Sequence, residues 1–340
     1  MECPLRLGVI GCGAVTEGFH LPVLAEVDGV QISVIVDTNM QRAQDLAHQY
    51  GVHRVETDYK KILDSVDAVI VAIPNRLHAE VSLFFLGQKK PVLVEKPMAL
   101  SGAECDRMIE LADANNVSLS VAHVRRYFNN SKIIKYAIES GMLGDIRSFS
   151  LKEGGVFNWP SASGFYFDRS QAGGGALMDT GPHVLDLLLW WLGEPYEITY
   201  TDDNFGGVEA SCVVKAKMKN GAEGIVKISR LVPVDTMYVF EGTRGTLRAH
   251  PFFLDKLNIT MNNIGESELN IIEKTRILSA DSNRVRILSC FKEQLQNFID
   301  SIRKGVPLIV DGREGKRVVE LIERCYAQRQ EMEAPWLMNS

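Results

Sequence analysis

The chain has 340 residues, a net charge of −6 and 46% hydrophobic side chains, enough for two domains with sizeable cores and ordinary for a folded globular protein. Its first 122 residues are acidic and the remainder is neutral, so neither part offers the basic field that nucleic acid requires. The N-terminus has no signal-peptide layout, and the most apolar stretch, Val184 to Leu192, is too short to span a bilayer and contains Asp186, which predicts a cytoplasmic protein with no membrane partner.

Leu7-Gly8-Val9-Ile10 is a short apolar run that leads straight into Gly11-Cys12-Gly13-Ala14-Val15-Thr16, and a second apolar run, Val30 to Val36, ends at Asp37. Strand, glycine turn, helix, strand and acid is the order of a dinucleotide-binding unit. In such a unit Gly11 allows the tight turn and Gly13 lets the backbone approach a pyrophosphate. The amides of Ala14 and Val15, at the start of the helix, face the phosphate charge. Asp37 is placed to accept hydrogen bonds from an adenosine ribose. Thr16 stands where the fingerprint has its third glycine. Asp37, with no added positive charge at Thr38 or Asn39, predicts NAD over NADP, although Arg42 one turn on offers partial compensation.

Three more strands follow, Ala68 to Ile73, Pro91 to Glu95 and Val117 to Ala122, separated by helices near Met40–Tyr50, Leu77–Leu86 and Gly102–Asn115. Ser101 with Glu104 forms a capping box for the last of these. The alternation predicts a doubly wound parallel sheet, a Rossmann domain over residues 1–122. Ligands of such sheets lie beyond the carboxyl ends of the strands, so the loops after Ile73 and Val94 face the cofactor.

From residue 123 the pattern changes. Ser131 to Ser140 reads as a helix stopped by Gly141, and a longer helical stretch runs to Gly193. Strands then follow near Glu197–Asp202, Val208–Met218, Ala222–Arg230, Met237–Glu241 and Leu257–Met261, with Asn220-Gly221 as a hairpin signal. Leu288, Phe291, Leu295, Phe298 and Ile302 mark an amphipathic helix ended by Gly305, and a last helix runs from Glu314 to about Gln330. Residues 123–340 therefore read as an α+β domain for substrate binding and oligomerisation, built on a large, mostly antiparallel open sheet with helices on one face. The other face needs a cover, which a second subunit would supply in a dimer or tetramer, with Val213, Ile225 and Ile228 as candidates for one face.

Three segments carry candidate chemistry: Glu95-Lys96-Pro97 at a strand end, Pro74-Asn75 with His78 at the end of the preceding strand, and Gly173-Gly174-Gly175 running on to Asp186. If the last is helical from about Gly175, Asp179 and His183 share a face, and Pro182 implies a kink or a late helix start. The helix that follows is deeply apolar, where polar groups must be satisfied or functional. Six cysteines are scattered without a C-x-x-C pair, which points to free thiols rather than metal ligation.

On these residues the chain resembles the glucose–fructose oxidoreductase / inositol dehydrogenase / rhizopine-catabolism family of nicotinamide-dependent oxidoreductases. The resemblance rests on Gly8 to Ala14, Glu95-Lys96-Pro97, the Asp179–His183 spacing within Gly173 to Asp186, and Val310-Asp311-Gly312 before the last helix. It covers nearly the whole chain. It implies that Lys96 and His183 are catalytic, that Asp179 assists, and that Pro74, Asn75, His78 and Glu95 lie close to the nicotinamide end. The implied reaction moves a hydride between NAD and a secondary alcohol or ketone of a sugar, a cyclitol or a sugar derivative, with no metal. His183, near neutral pKa, is the better proton acceptor, and cationic Lys96 suits holding the hydroxyl and stabilising negative charge on its oxygen. Asp179 would orient either one or bind a neighbouring hydroxyl.

Two other readings keep the nucleotide: a non-catalytic regulator, against which the presence of Lys96, Asp179 and His183 argues, and an oxidation coupled to elimination, as in NAD-dependent glycoside cleavage. A short-chain dehydrogenase fits less well because no tyrosine has a lysine four residues on, and a zinc alcohol dehydrogenase because the cysteine spacings are absent. Arg126 and Tyr127, after the last Rossmann strand, and Asn158 and Trp159, in a loop bordered by Gly, Ser and Pro, are candidate substrate contacts. The plainer alternatives are interdomain structural roles for Arg125 and Arg126, a packed loop for Asn158–Trp159, and a helix-lining role for His78.

Overall fold

Short Val- and Ile-rich strands buried on both faces must lie between helices, and the first part of the chain folds accordingly. The computed structural model describes residues 3–160, 164–262, 265–270 and 282–332. Strands β1 (Leu5–Ile10), β2 (Val30–Val36), β3 (Val55–Glu56), β4 (Ala68–Val71), β5 (Val92–Val94) and β6 (Leu119–Val121) form one parallel sheet in the order β3-β2-β1-β4-β5-β6. The order reverses between β1 and β4, which opens a crevice beyond their carboxyl ends. Gly11 turns there with φ +99°, tight against the Ala72 carbonyl, where no side chain fits.

The second sheet has nine strands. They are β7 (Ile146–Gly154), β8 (Pro195–Asp202), β9 (Ser211–Met218), β10 (Glu223–Ser229), β11 (Met237–Gly242), β12 (Gly245–Ala249), β13 (Lys256–Met261), β14 (Gly265–Asn270) and β15 (Arg329–Glu331), in the order β14-β13-β12-β11-β7-β10-β9-β8-β15. All neighbours are antiparallel except β7–β10 and β8–β15. Several of these strands escape the sequence pattern. In β7 the inward series Ile146, Phe149, Leu151 ends on Glu153, a carboxylate buried against Arg125, which breaks the apolar alternation. The last helix, expected to reach Gln330, runs Gly312–Ala327, because the chain then turns into β15 beside β8.

One face of this sheet packs on the helices Gly181–Leu192 and Gly312–Ala327 in a common core that includes Leu188, Tyr200, Phe240 and Ile322. On the opposite face Val213, Ile225, Met237 and Val239 are half-buried. Ile228, grouped with Val213 and Ile225 in the sequence reading, lies on the covered face and is fully buried. An offset of three along a strand reverses the side-chain direction. The helix Ser282–Lys304 inserts Phe291, Leu295 and Phe298 into the core of the first sheet. Among the described residues no helix is long and apolar enough to cross a membrane.

The break expected at Pro182 is present. Short helix Ala176–Asp179 is followed by Gly181–Leu192, with Pro182 in its first turn, where a missing N–H leaves no bond unmade. The glycines upstream serve packing. Gly175 lies against the Glu209 backbone, and the buried Glu209 carboxylate accepts hydrogen bonds from the Gly175 amide (2.9 Å), the Leu177 amide (3.0 Å) and the Tyr326 hydroxyl (2.7 Å). A Gly175→Ala variant should therefore lose about 1–3 kcal/mol of stability through overpacking. Urea denaturation with a wild-type midpoint would show that the turn has room to spare.

Candidate active site

Every strand end that the nucleotide-binding reading uses lies on the same edge of the first sheet: Gly11 to Gly13 after β1, Asp37 after β2, Pro74-Asn75 after β4 and Glu95-Lys96-Pro97 after β5. The helix after β1 begins at Ala14, so the amides of Gly13, Ala14 and Val15 precede its first closed turn. A side chain on Gly13 would meet no atom of the protein, so glycine there leaves the cradle a pyrophosphate needs. Thr16, in place of the third glycine, is fully buried and donates its hydroxyl to the Gly11 carbonyl at 2.7 Å. It thereby ties the helix to the turn, which is the close-packing role a glycine has there.

Asp37 accepts hydrogen bonds from the Cys12 amide at 2.7 Å and the Asn39 amide at 2.8 Å. That fixes an acceptor pair at the end of β2, where an adenosine ribose is read. Arg42 is engaged elsewhere, donating to the Cys12 carbonyl and pairing with Glu17 at 2.8 Å. The residues present fit a dinucleotide with a free 2′-hydroxyl.

At the other end of the crevice the side chains form walls. His78 lies between the carbonyls of Pro97 (2.6 Å) and Ile73 (2.8 Å) and joins the two loops. Burial pushes its pKa down in spite of those carbonyls, so the neutral ring donates to one of them. Asn75 reaches across the interdomain cleft and donates to the Ala172 carbonyl at 2.9 Å. Glu95 is held by His20 at 2.8 Å. Burial would raise its carboxyl, but the His20 hydrogen bond and the charge of Lys96 outweigh this and hold it below the usual range.

Lys96 makes the contact on which the site turns. Its ammonium leaves the first domain and donates to both the backbone carbonyl and the Oδ1 of Asp179, each at 3.0 Å. Asp179 Oδ2 is bound by Arg230. Burial pushes the Asp179 carboxyl up, yet Lys96 and Arg230 together bring it below the usual range. His183 follows one turn later. Its Nδ1 is buried with no hydrogen-bond partner, and its pKa lies well below the ordinary value because of burial, then the charges of Lys96 and Arg125. The expectation of a near-neutral pKa is thus corrected: the imidazole is neutral with a wide margin at pH 7, in a site that disfavours a second cation.

The four candidate substrate contacts fare differently. Arg126 is buried and forked on Asp186, with Nε at 3.0 Å from both oxygens and Nη2 at 2.7 Å from Oδ1, and also pairs with Glu314 at 2.6 Å. Tyr127 is buried and donates to Asn297 at 3.1 Å. Arg126 thus joins the turn after β6 to two helices of the second domain, and Tyr127 joins that turn to the helix Ser282–Lys304, contacts made within the protein. Arg125 is likewise paired with Glu153. Asn158 is exposed, and Trp159 stacks on Phe19 of the first domain, with centroids 6.1 Å apart, while keeping 39% of its surface exposed.

The sequence reading passed over three groups at this site. His20 stands on the first helix and gave no signal. His123, just beyond β6, has both ring nitrogens buried and unpartnered, and burial lowers its pKa. Arg230 carried a signal, since it continues the inward series Val226, Ile228 at the end of β10. A cavity of about 280 Å³ lined by Glu194, Arg317, Glu320, Leu321, Glu323 and Arg324 shares no residue with this cluster.

Residues 5–123 match the model of an oxidoreductase family with an NAD-binding Rossmann fold, and residues 132–248 match the GFO/IDH/MocA C-terminal domain. The chain is 26% identical to myo-inositol 2-dehydrogenase of Thermotoga maritima across 97% of this chain and 96% of that one. It is 26% identical to glucose-6-phosphate 3-dehydrogenase of Bacillus subtilis, covering 93% and 95% respectively. Its fold is similar to that of levoglucosan dehydrogenase in complex with NADH and levoglucosan, with a TM-score of 0.84 at 22% identity, over 96% and 97% of the two chains. With a glycine turn, a β2 acid and a lysine that crosses to a second-domain aspartate, the chain belongs to the GFO/IDH/MocA family of NAD-binding oxidoreductases.

Proposed function

We propose that this enzyme oxidises a secondary alcohol of a small polyhydroxylated compound, a sugar or cyclitol, and reduces the ketone in reverse. The named substrates of the inositol and glucose-6-phosphate dehydrogenases support that class. The observation that carries the reading is Lys96, anchored across the cleft on Asp179 beside a neutral His183.

Gly11, Gly13, Ala14 and Val15 would hold the pyrophosphate and Asp37 the adenosine ribose, with Pro74, Asn75, His78 and Glu95 as walls of the nicotinamide end. Bound NAD supplies the hydride acceptor. The protein's own groups do the rest. Asp179 uses two of the three N–H bonds of Lys96, which leaves one to point at the substrate oxygen. That charge stabilises the oxygen as its proton departs. His183 takes the proton on an imidazole nitrogen, and gives it back when a ketone is reduced. Trp159, half-exposed at the cleft, offers an apolar face of the kind a sugar ring stacks on.

A panel of inositols, pyranosides and sugar phosphates, followed at the reduced-nicotinamide absorbance, identifies the substrate. With it, His183→Ala should lower kcat about 10²–10⁴-fold, with wild-type NAD affinity and melting temperature. Near wild-type turnover in that variant would sink the assignment. A core histidine would instead show its loss in stability, with binding and rate falling together.

The cofactor preference rests on Asp37, whose carboxylate repels a 2′-phosphate, and on Arg42, which Glu17 neutralises. NAD should bind more tightly than NADP, and Gly13→Ala should weaken NAD binding while leaving stability within about 0.5 kcal/mol. Equal or tighter binding of NADP in a fluorescence titration would refute the preference.

We also infer self-association through the uncovered face of the second sheet, where Val213, Ile225, Met237 and Val239 alternate with Lys152, Lys215, Lys227 and Ser150. Sedimentation should give a dimer or tetramer at micromolar concentration. Ile225→Asp should produce a smaller, folded species, whereas Ile228→Asp, on the buried face, should unfold the domain. A wild-type monomer would count decisively against the interface.

A further inference from the structure

Among the described residues of the second domain, three buried arginines are committed to carboxylates, and one of them is bound unlike the others. Arg126 offers Nε and Nη2 together to Asp186, and Arg125 offers Nη1 and Nη2 together to Glu153. That is how a guanidinium is used when the ion pair itself is the purpose. Arg230 gives only Nη2 to Asp179, and its Nε is buried with no partner. A buried donor left unsatisfied is unfavourable, so its guanidinium is placed by other forces. Two rings hold it, Phe157 at 4.9 Å and Tyr166 at 5.9 Å from the guanidinium carbon. Its backbone is pinned as well: the Arg230 amide donates to the Ala210 carbonyl at 2.7 Å, and the Phe157 amide donates to the Arg230 carbonyl at 2.8 Å. The side chain is thus preset to meet one oxygen of Asp179, and the other oxygen is left to Lys96.

We propose that Arg230 is a positioning residue of the hydride-transfer site, fixing the Asp179 carboxylate so that Oδ1 is presented to the Lys96 ammonium. A carboxylate with one oxygen anchored cannot rotate away when Lys96 turns toward a substrate oxygen. The inference rests on the catalytic reading of Lys96 and Asp179 given above. Arg230 itself touches no reacting atom.

The same contact has a charge consequence. The groups that act on Asp179 are Lys96 from the turn after β5, Arg230 from the end of β10, and Tyr166 from the short helical turn Phe165–Phe167. Tyr166 is held protonated by burial and by Asp179. Lys96 is faced in turn by Glu95, His78, His123 and His183, of which the three imidazoles are neutral at pH 7 through burial. Lys96 and Arg230 are therefore the two cations that keep Asp179 ionised. Removing one must raise the pH at which Asp179 takes up a proton.

The test uses Arg230→Met, which keeps an unbranched apolar stem between the two rings, and Arg230→Lys, which keeps the charge. The protein carries ¹³Cγ-aspartate, and the Asp179 signal is the one absent from Asp179→Asn. In Arg230→Met its protonation midpoint should rise by about 1–2 pH units, and in Arg230→Lys it should stay within a few tenths of wild type. With myo-inositol, or whichever panel compound is turned over, Arg230→Met should lower kcat about tenfold or more with little change in KM. The Arg230→Met/Asp179→Asn double variant should be no slower than Asp179→Asn alone, because the two act as a unit. An unmoved Asp179 midpoint in folded Arg230→Met, or equal shifts in both variants, overturns the proposal. If Arg230→Met does not fold, a wild-type rate and midpoint in Arg230→Lys support it and a loss in both overturns it. Wild-type turnover by Asp179→Asn would instead defeat the underlying catalytic reading, and the midpoint measurement would still decide what Arg230 does to Asp179.

Discussion

A guanidinium buried between two carboxylates holds this molecule in register. Arg126 leaves the last strand of the parallel sheet, Asp186 lies in the buried helix Gly181–Leu192, and Glu314 begins the last helix, so one side chain ties together three elements from both halves of the chain. Such a cluster contributes little net stability over an apolar replacement, because desolvation offsets the attraction, but removing one partner alone costs about 3–5 kcal/mol. Its value here is geometric. His123 lies three residues before Arg126, with the Arg126 amide donating to its carbonyl at 3.2 Å. His183 lies three residues before Asp186. The ion pair therefore sets the approach of the two imidazoles, and with them the distance from Lys96 to the helix that carries Asp179.

Around that anchor the charges are sorted by burial. The three imidazoles His78, His123 and His183 are lowered by desolvation before any neighbour acts, whereas the carboxyls Glu95 and Asp179 are lowered because adjacent cations overcome desolvation. The result is a cleft of neutral acceptors and paired ions, in which the Lys96 ammonium has the Asp179 carboxylate as its partner and the imidazoles of His78, His123 and His183 are neutral. On the proposed reading, a substrate hydroxyl entering this cleft would meet Lys96 as the cation and His183 as the neutral base. The separation of roles follows from which groups have a charged partner within hydrogen-bond reach.

Much of this was legible in the sequence, and the rest had a physical reason to be hidden. The parallel sheet showed itself through short, uniformly apolar runs closed by Gly11, Asp37, Asn75 and Glu95. The Asp179–His183 spacing survived a broken helix because Pro182 falls in a first turn, where the chain keeps its helical course. Strand β7 was invisible because its inward series ends on Glu153, a residue whose burial depends on Arg125 far along the chain. Arg126 and Tyr127 looked like ligand contacts because an arginine and an aromatic after a Rossmann strand are equally suited to a ligand and to a distant carboxylate. Only the fold reveals that Asp186 and Asn297 are there. His123 and Arg230 escaped for the same reason: a polar residue at the end of an apolar strand carries no label for what it faces.

The two glycine-rich segments show the limit most sharply, because identical chemistry serves opposite needs. At Gly175 the missing side chain is filled by the backbone of Glu209, and the segment is tightened by three hydrogen bonds to a single buried carboxylate. At Gly13 nothing of the protein approaches, and the neighbouring amides are unpaired within their helix. A glycine that the protein itself crowds is there for the fold, and a glycine that the protein leaves open, beside unsatisfied donors, is there for something else. By that criterion the turn after β1 faces a ligand and the Gly173–Gly175 turn does not. The second turn still acts on the site indirectly, since the packing it permits brings Asp179, at the end of the helix Ala176–Asp179, within reach of Lys96.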